Sequence, residues 1–155
     1  MAGLVEAKLA ELGISLPKPM APIATYVPFV VVGSLVLISG QLPAVDGRVA
    51  ITGKLGSGLA VEQGQQAAQR CFINVLAHLK AAAEGDLDRV RRVVRLGGFI
   101  ACAPDFTQQA QVMNGASDLA VAVFGEAGRH ARTTIGVAAL PLDAAVEVEG
   151  MFELE

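Results

Sequence analysis

The chain has 155 residues, the length of one domain, and 53% of them are apolar against 17% charged. Fifteen acidic and 12 basic side chains leave a net charge of −3, which excludes a strongly basic protein that tracks phosphates. Disorder, collagen-like repeats and a disulfide scaffold are excluded too, and the apolar excess implies surface left for a partner subunit.

Val5, Leu9 and Leu12 share a face and predict a short amphipathic helix over residues 3–12, stopped by Gly13. Glu6, Lys8 and Glu11 within it argue against a secretory leader, so the cytoplasm is the expected compartment. Residues 15–24 carry Pro17, Pro19 and Pro22 and read as turns and extended chain. Residues 1–23 are therefore taken as an N-terminal helix and arm of a single domain, 1–155. The stretch from Pro19 to Val45 has no charge, but Pro22, Pro28, Gly33-Ser34 and Gln41 interrupt it. Its unbroken runs fall far below the ~20 residues of a spanning helix, so it reads as buried strands.

Phe29–Val32 and Leu35–Ser39, split by Gly33-Ser34, predict a tight hairpin. Asp46-Gly47 is a second turn signal, with Arg48–Thr52 as a third strand. Gly53, Gly56 and Gly58 form a loop without the spacing of a phosphate cradle. From Val61 to Ala83 the period changes: Gly64, Ala68, Cys71, Val75, Leu79 and Ala82 recur at three and four, and Gly85 closes the helix. Arg89 to Cys102 is rich in β-branched residues. Asp105 is expected to cap a second long helix, with Val112, Ala116, Leu119 and Val123 on its buried face and Gly125 after it. Arg132–Ala139 and Ala144–Leu154 are the last two strands, turned by Leu140-Pro141-Leu142-Asp143. The sum is an α+β two-layer sandwich of about six strands with two long helices on one face.

Cys71 and Cys102 lie at no metal-ligand spacing, and His78 and His130 join no Cys pair, so no metal is expected. His130 reads as a loop histidine, and Arg91, Arg92 and Arg95 as a solvated edge. In the strand 132–138, Arg132, Thr134, Gly136 and Ala138 alternate with Thr133, Ile135 and Val137. In the last strand, Glu147, Glu149, Met151 and Glu153 alternate with Val146, Val148, Gly150, Phe152 and Leu154, the set assigned to the helix-packed core. Arg132 and the carboxylates are thus expected together on the face the helices leave open, an arrangement that a solvated sheet face would share.

The run Arg129-His130-Ala131-Arg132-Thr133-Thr134-Ile135-Gly136-Val137-Ala138-Ala139-Leu140-Pro141, followed by Val146-Glu147-Val148-Glu149, resembles the C-terminal signature of the RidA/YjgF family. These are the enamine/imine deaminases, also labelled L-PSP endoribonucleases or translation inhibitors. Tyr26-Val27, Gly33 and Ile38-Ser39-Gly40-Gln41-Leu42-Pro43 resemble the family's opening hairpin. Asn74-Val75-Leu76, Leu87-Asp88-Arg89-Val90 and Asn114 to Phe124-Gly125 fit its order of helices and strands. The N-terminal helix, the glycines of 53–58 and Asn114-Gly115-Ala116-Ser117 mark a divergent branch.

The resemblance implies a chorismate-mutase-like fold with a six-stranded mixed sheet, assembled as a homotrimer with sites in clefts between subunits. It implies hydrolysis of 2-imino acids, or their enamine tautomers, to 2-keto acids and ammonia, with no cofactor, nucleic acid or membrane. Arg132 would hold the substrate carboxylate and Glu147 would position or activate the attacking water; Tyr26, Gly40, Thr134 and Asn114 would bind substrate. Thr134 stands where many members carry cysteine, which removes thiolate chemistry. If the last two strands pair as a hairpin, Gly136 faces Glu147 and Arg132 lies four residues along, about 13 Å away. Either the pairing differs or the two meet across a subunit boundary, and the boundary fits the implied cleft. The alternative function is a non-catalytic trimer that binds a carboxylate metabolite. Ribonuclease activity is disfavoured by one Tyr, no Trp and the negative net charge.

Overall fold

A computed structural model describes residues 3–19, 21–22 and 24–155; Met1, Ala2, Met20 and Ile23, parts of the predicted arm, lie outside the described residues. The elements run α1 (Leu4–Glu11), β1 (Phe29–Val32), β2 (Leu35–Gln41), β3 (Ala44–Val45), β4 (Arg48–Val49), β5 (Lys54–Leu55), β6 (Gly58–Leu59), α2 (Val61–Ala82), β7 (Val90–Ala101), α3 (Gln109–Phe124), β8 (Ala131–Val137) and β9 (Val146–Leu154). The punctuation follows the residues. Gly33, at φ +62°, turns β1 into β2, and Gly85, at φ +91°, closes α2. The side-chain oxygen of Gln63 accepts from the Ala60 N–H at 2.9 Å and satisfies a free donor at the start of α2.

The main sheet is mixed and has five strands in the order β1-β2-β9-β7-β8, one fewer than expected. The predicted third strand pairs only over Arg48–Val49, with Ala44–Val45, in a separate ribbon across the Asp46-Gly47 turn. Both turn residues take positive φ, 52° and 80°, a two-residue hairpin turn that returns Arg48–Val49 onto Ala44–Val45 and not onto the main sheet. Beyond it, Thr52 bridges Ala144 over the sheet's end instead.

The last two strands are not neighbours. β8 pairs in parallel with β7, setting Arg132 opposite Leu96, while β7 pairs antiparallel with β9 on its other side. The cause is α3, a helical crossover between β7 and β8 that returns the chain in the same direction. The 138–145 connection then steps over the end of β7, where the Ala101 N–H donates to the Ala145 carbonyl at 2.9 Å.

Asp105 does not cap α3, which starts at Gln109 after Gln108. Pro104 and Asp105 are taken up in a turn closed by the Phe106 N–H on the Ala103 carbonyl at 3.0 Å. Phe106 packs on the core, and the helix begins only beyond it.

α2 and α3 cover one face of the sheet, as expected. Phe72, Leu76 and Leu79 of α2 and Met113 of α3 are buried with Leu96, Ile100 and Phe152 of the sheet. In β9 every even residue from Val146 to Leu154 is buried, matching its predicted core face. The opposite face carries Leu37 beside Met151, Gly97 beside Glu149, and Phe99 between Glu147 and Ile135. Ile135 is 47% exposed there and Val32 at its edge 61%. No helix among the described residues is long and apolar enough to cross a membrane.

The two helices cross at glycines. A Cβ on Gly64 would lie 2.9 Å from Val112, and one on Gly115 would overlap the Gln65 carbonyl. That carbonyl is backbone and cannot swing aside. Gly115→Ala therefore costs about 3 kcal/mol in overpacking, offset by about 1 kcal/mol of helix propensity. A net loss of about 2 kcal/mol is expected as a lower urea midpoint at unchanged slope. A wild-type midpoint would mean that the helix crossing is not tight at this point.

Candidate functional site

The six residues singled out from the sequence gather in two places. Tyr26, Gly40 and Glu147 line one cleft, with Pro28, Leu42 and Pro141 among its apolar walls. The register between β2 and β9 slips between Ile38 and Gln41, a bulge that re-aims the chain at Ser39-Gly40. Gly40 thereby sits under the Glu147 carboxylate, so closely that a Cβ would overlap its oxygen. The bulge is tied down by the Ser39 hydroxyl, which donates to the Val27 carbonyl at 2.8 Å.

The floor of the cleft is held from α2. The buried Asn74 amide donates to the carbonyls of Leu42 at 2.9 Å and Ala44 at 3.1 Å, and Arg70 Nε donates to Ala44 at 3.0 Å. Across the opening, Leu142 and Asp143 both take positive φ, 57° and 58°, and the turn brings Pro141 and Leu142 to the rim. The cavity is about 80 Å³, room for about five waters. Burial raises the proton affinity of Glu147, and the Glu149 charge on the same strand face raises it further. A carboxyl so placed suits a general base.

The second cluster lies on the helix side of the sheet. Arg132 Nη1 donates to Asn114 Oδ1 at 2.8 Å and to the Ser117 hydroxyl at 3.1 Å, and Nη2 donates to the Ala110 carbonyl at 3.3 Å. These bonds take at most three of the five guanidinium N–H groups. Two remain for a carboxylate. Two residues along β8, the Thr134 hydroxyl oxygen is buried with no hydrogen-bond partner among the described residues. The Thr134 hydroxyl and the two free N–H groups of Arg132 lie on one face of β8 and form an anion corner, a set of groups suited to a carboxylate.

One expectation is overturned here. Arg132 and Thr134 do not share the open face with Glu147; Arg132 points to α3, and Thr134 follows it at the next same-face position. β8 is an edge strand, where Ile135 is left exposed and its alternation does not report the core. With β7 between them and three residues of offset, Arg132 and Glu147 are about 14 Å apart within a protomer. Asn114 joins Arg132, while Tyr26 and Gly40 join Glu147.

Four contributors were not singled out: Asn74 and Arg70 under the cleft, and Ser117 and His130 beside Arg132. Asn114 and Ser117 are three apart on a helix, and His130 lies just ahead of β8, two residues before Arg132. Those spacings place each pair on one face and were a readable signal. Among the described residues no group of three or more His, Cys, Asp or Glu could hold a metal ion.

Comparison with known proteins adds the following. The family model described as "YjgF/chorismate_mutase-like, putative endoribonuclease" matches residues 6–154. Protein TCP17 of Trypanosoma cruzi is 51% identical over 154 residues, covering 99% of this chain and 96% of its own. A 2-iminobutanoate/2-iminopropanoate deaminase of Dermatophagoides farinae is 32% identical over 142 residues, covering 92% and 95%. The crystal structure of the protein Atu1372 from Agrobacterium tumefaciens superposes with a TM-score of 0.92 at 46% identity, covering 98% of this chain and 93% of that one.

Proposed function

The chain belongs to the YjgF/chorismate-mutase-like family, and from that membership we propose that it hydrolyses 2-imino acids, or their enamine tautomers, to 2-keto acids and ammonia. The observation that carries the reading is the split site: an anion corner with two free N–H groups, and, on the other face, a cleft holding a carboxyl of raised proton affinity. Each half is chemically incomplete. A homotrimer in which the Arg132 corner of one protomer abuts the Glu147 cleft of the next makes one whole site. It also covers the open face, where Val32, Leu37 and Ile135 are exposed.

In such a site the guanidinium holds the substrate carboxylate and aims the imine carbon into the cleft. Glu147 takes a proton from water as the water oxygen bonds to that carbon. The protonated Glu147 gives that proton to the imine nitrogen to form a carbinolamine, then carries the adduct's hydroxyl proton to the same nitrogen as the carbon–nitrogen bond breaks, so that the carbonyl forms and ammonia leaves. Tyr26 walls the cleft, and the Thr134 hydroxyl meets a polar atom of the bound acid. The deaminase name of the Dermatophagoides farinae relative supports the same reaction class. A net charge of −3 and one Tyr favour it over RNA cleavage.

The test is competition with semicarbazide for 2-aminoacrylate made by an amino-acid dehydratase. The protein is expected to suppress semicarbazone formation; binding of a keto acid with no suppression would overturn the reading. Activity should fall on acidification along a limb above the ordinary glutamate range, because Glu147 must be ionised to act. Glu149→Gln removes the second cause and is expected to move that limb down, part of the way only, since burial is the larger cause. A limb unmoved by Glu149→Gln and lying in the ordinary range would assign the base elsewhere. The sign for stability is opposite. The contribution of a carboxyl raised by folding is complete below its unfolded value and is lost as pH rises through the folded one.

A further inference from the structure

The Arg132 corner holds two groups to which the reaction above gives no part. His130 precedes β8 by one residue, and its Nδ1 lies 2.6 Å from the Gly128 carbonyl. Its Nε2 lies 2.9 Å from the Ser117 hydroxyl, and that hydroxyl oxygen accepts from Arg132 Nη1 at 3.1 Å. A carbonyl can only accept, so Nδ1 carries the proton. In the neutral ring Nε2 is then an acceptor and takes the serine proton, which leaves the serine lone pairs to Arg132. Every donor in the row Arg132, Ser117, His130, Gly128 has one acceptor, and the row ends on backbone. Gly128 is itself fixed, since a Cβ there would overlap the Ala120 carbonyl of α3.

Asn114 and Ser117 approach the same nitrogen from one face of α3. Asn114 alone would let the guanidinium swing about one bond; the second acceptor sets its plane. The charged groups around the ring are Asp118 on α3, Arg129 beside it in a shared hollow of about 270 Å³, and Arg132. Glu126 pairs with Arg129 at 3.3 Å, and Arg92 of β7 donates to the Arg129 carbonyl at 2.8 Å. Of these, Arg132 hydrogen-bonds the serine oxygen as described, and His130 Nε2 is the other side-chain partner of that hydroxyl among the described residues.

We propose that Ser117 and His130 are positioning residues that lock the Arg132 guanidinium in its carboxylate-receiving orientation, through a serine bridge that requires the neutral, Nδ1-protonated imidazole. The inference rests on reading Arg132 as the carboxylate receptor. Its effect is on substrate capture: with the bridge gone, the guanidinium keeps its charge but loses its aim. KM rises and kcat changes little.

The test uses the intact assembly with two readouts, turnover of the dehydratase-generated imine and equilibrium binding of 2-oxobutanoate. Ser117→Ala and His130→Phe are expected to raise KM and weaken keto-acid binding about fivefold, the weight of one hydrogen bond. Ser117→Thr, which keeps the hydroxyl, should stay within about twofold. The chain has 2 His, so nitrogen NMR of the rings is easily assigned and should find His130 protonated at Nδ1 and bare at Nε2. Ser117→Ala should then shift the Nε2 resonance, an effect that misfolding of a distant region would not mimic. Wild-type binding in both variants, with Arg132→Ala deficient, would overturn the proposal and leave the deaminase reading intact. So would protonation at Nε2 in the neutral ring. Loss of binding in both variants of a protein that never turns over the imine would sustain the positioning role and sink the deaminase reading. A wild type that neither binds nor turns over overturns both.

Discussion

Arg132→Lys is expected to lower kcat/KM for a 2-imino acid by about two to three orders of magnitude, nearly as far as Arg132→Ala, because two charge-assisted hydrogen bonds of about 1.5–3 kcal/mol are lost. The count of donors decides it. Asn114 Oδ1, Ser117 Oγ and the Ala110 carbonyl already converge on this side chain at 2.8, 3.1 and 3.3 Å. Arginine meets all three and has two N–H groups left; an ammonium has three donors in total and has none left for a substrate. The positive charge survives the substitution, so a large loss separates directed hydrogen bonding from simple electrostatic attraction. The semicarbazide competition measures it, and circular dichroism checks that the variant is folded. Arg132→Lys within about threefold of wild type would mean that charge alone suffices and that the bidentate grip is wrong.

Most of the fold was legible because most elements have one dry face. The even residues of β9 are all buried, and Val112, Ala116, Leu119 and Val123 of α3 are buried as their spacing predicts. The hairpin at Gly33 and the stop at Gly125 follow from residues that tolerate positive φ. Failure was concentrated in β8, where alternation is weakest. Thr133, Thr134, Ile135 and Gly136 carry little contrast, and an edge strand buries neither face fully. Its partner could have been inferred from chain order, since a strand, a helix and a strand in succession favour a parallel pair. The turn at 140–143 instead invited a hairpin. A turn signal reports a reversal of direction, not which strand lies between the two it joins.

The site was legible as a set of residue types and not as an arrangement. The family resemblance named Tyr26, Gly40, Asn114, Arg132, Thr134 and Glu147, but a match along the chain says nothing about which side of a sheet each occupies. The bulge at Ser39-Gly40 that brings Gly40 to Glu147 is a register slip with no compositional mark. Asn74 and Arg70 hold the cleft from a helix whose apolar period describes only its buried stripe. Polar residues on such a helix look like solvated surface until the loop they grip is seen.

Two inactive variants are expected to restore each other. Arg132→Ala destroys the anion corner and leaves the Glu147 cleft whole; Glu147→Gln does the reverse and keeps the shape that fits over Gly40. Within one protomer these residues lie about 14 Å apart on opposite faces of the sheet. No single small substrate touches both. If each site joins the corner of one protomer to the cleft of the next, a mixed assembly contains some sites with an intact residue from each side. Every trimer that holds both variants has one whole site of three, so about one third of wild-type activity should return in co-expressed protein that carries both tags. Each variant alone should stay near background, and sedimentation should give about three times 16.0 kDa. A site confined to one protomer gives no rescue at any ratio, because no protomer in the mixture holds both residues. Activity in a monomer would be equally decisive against the shared site. Rescue well above one third exceeds what a ring of three can give and would mean a larger assembly, which sedimentation reveals.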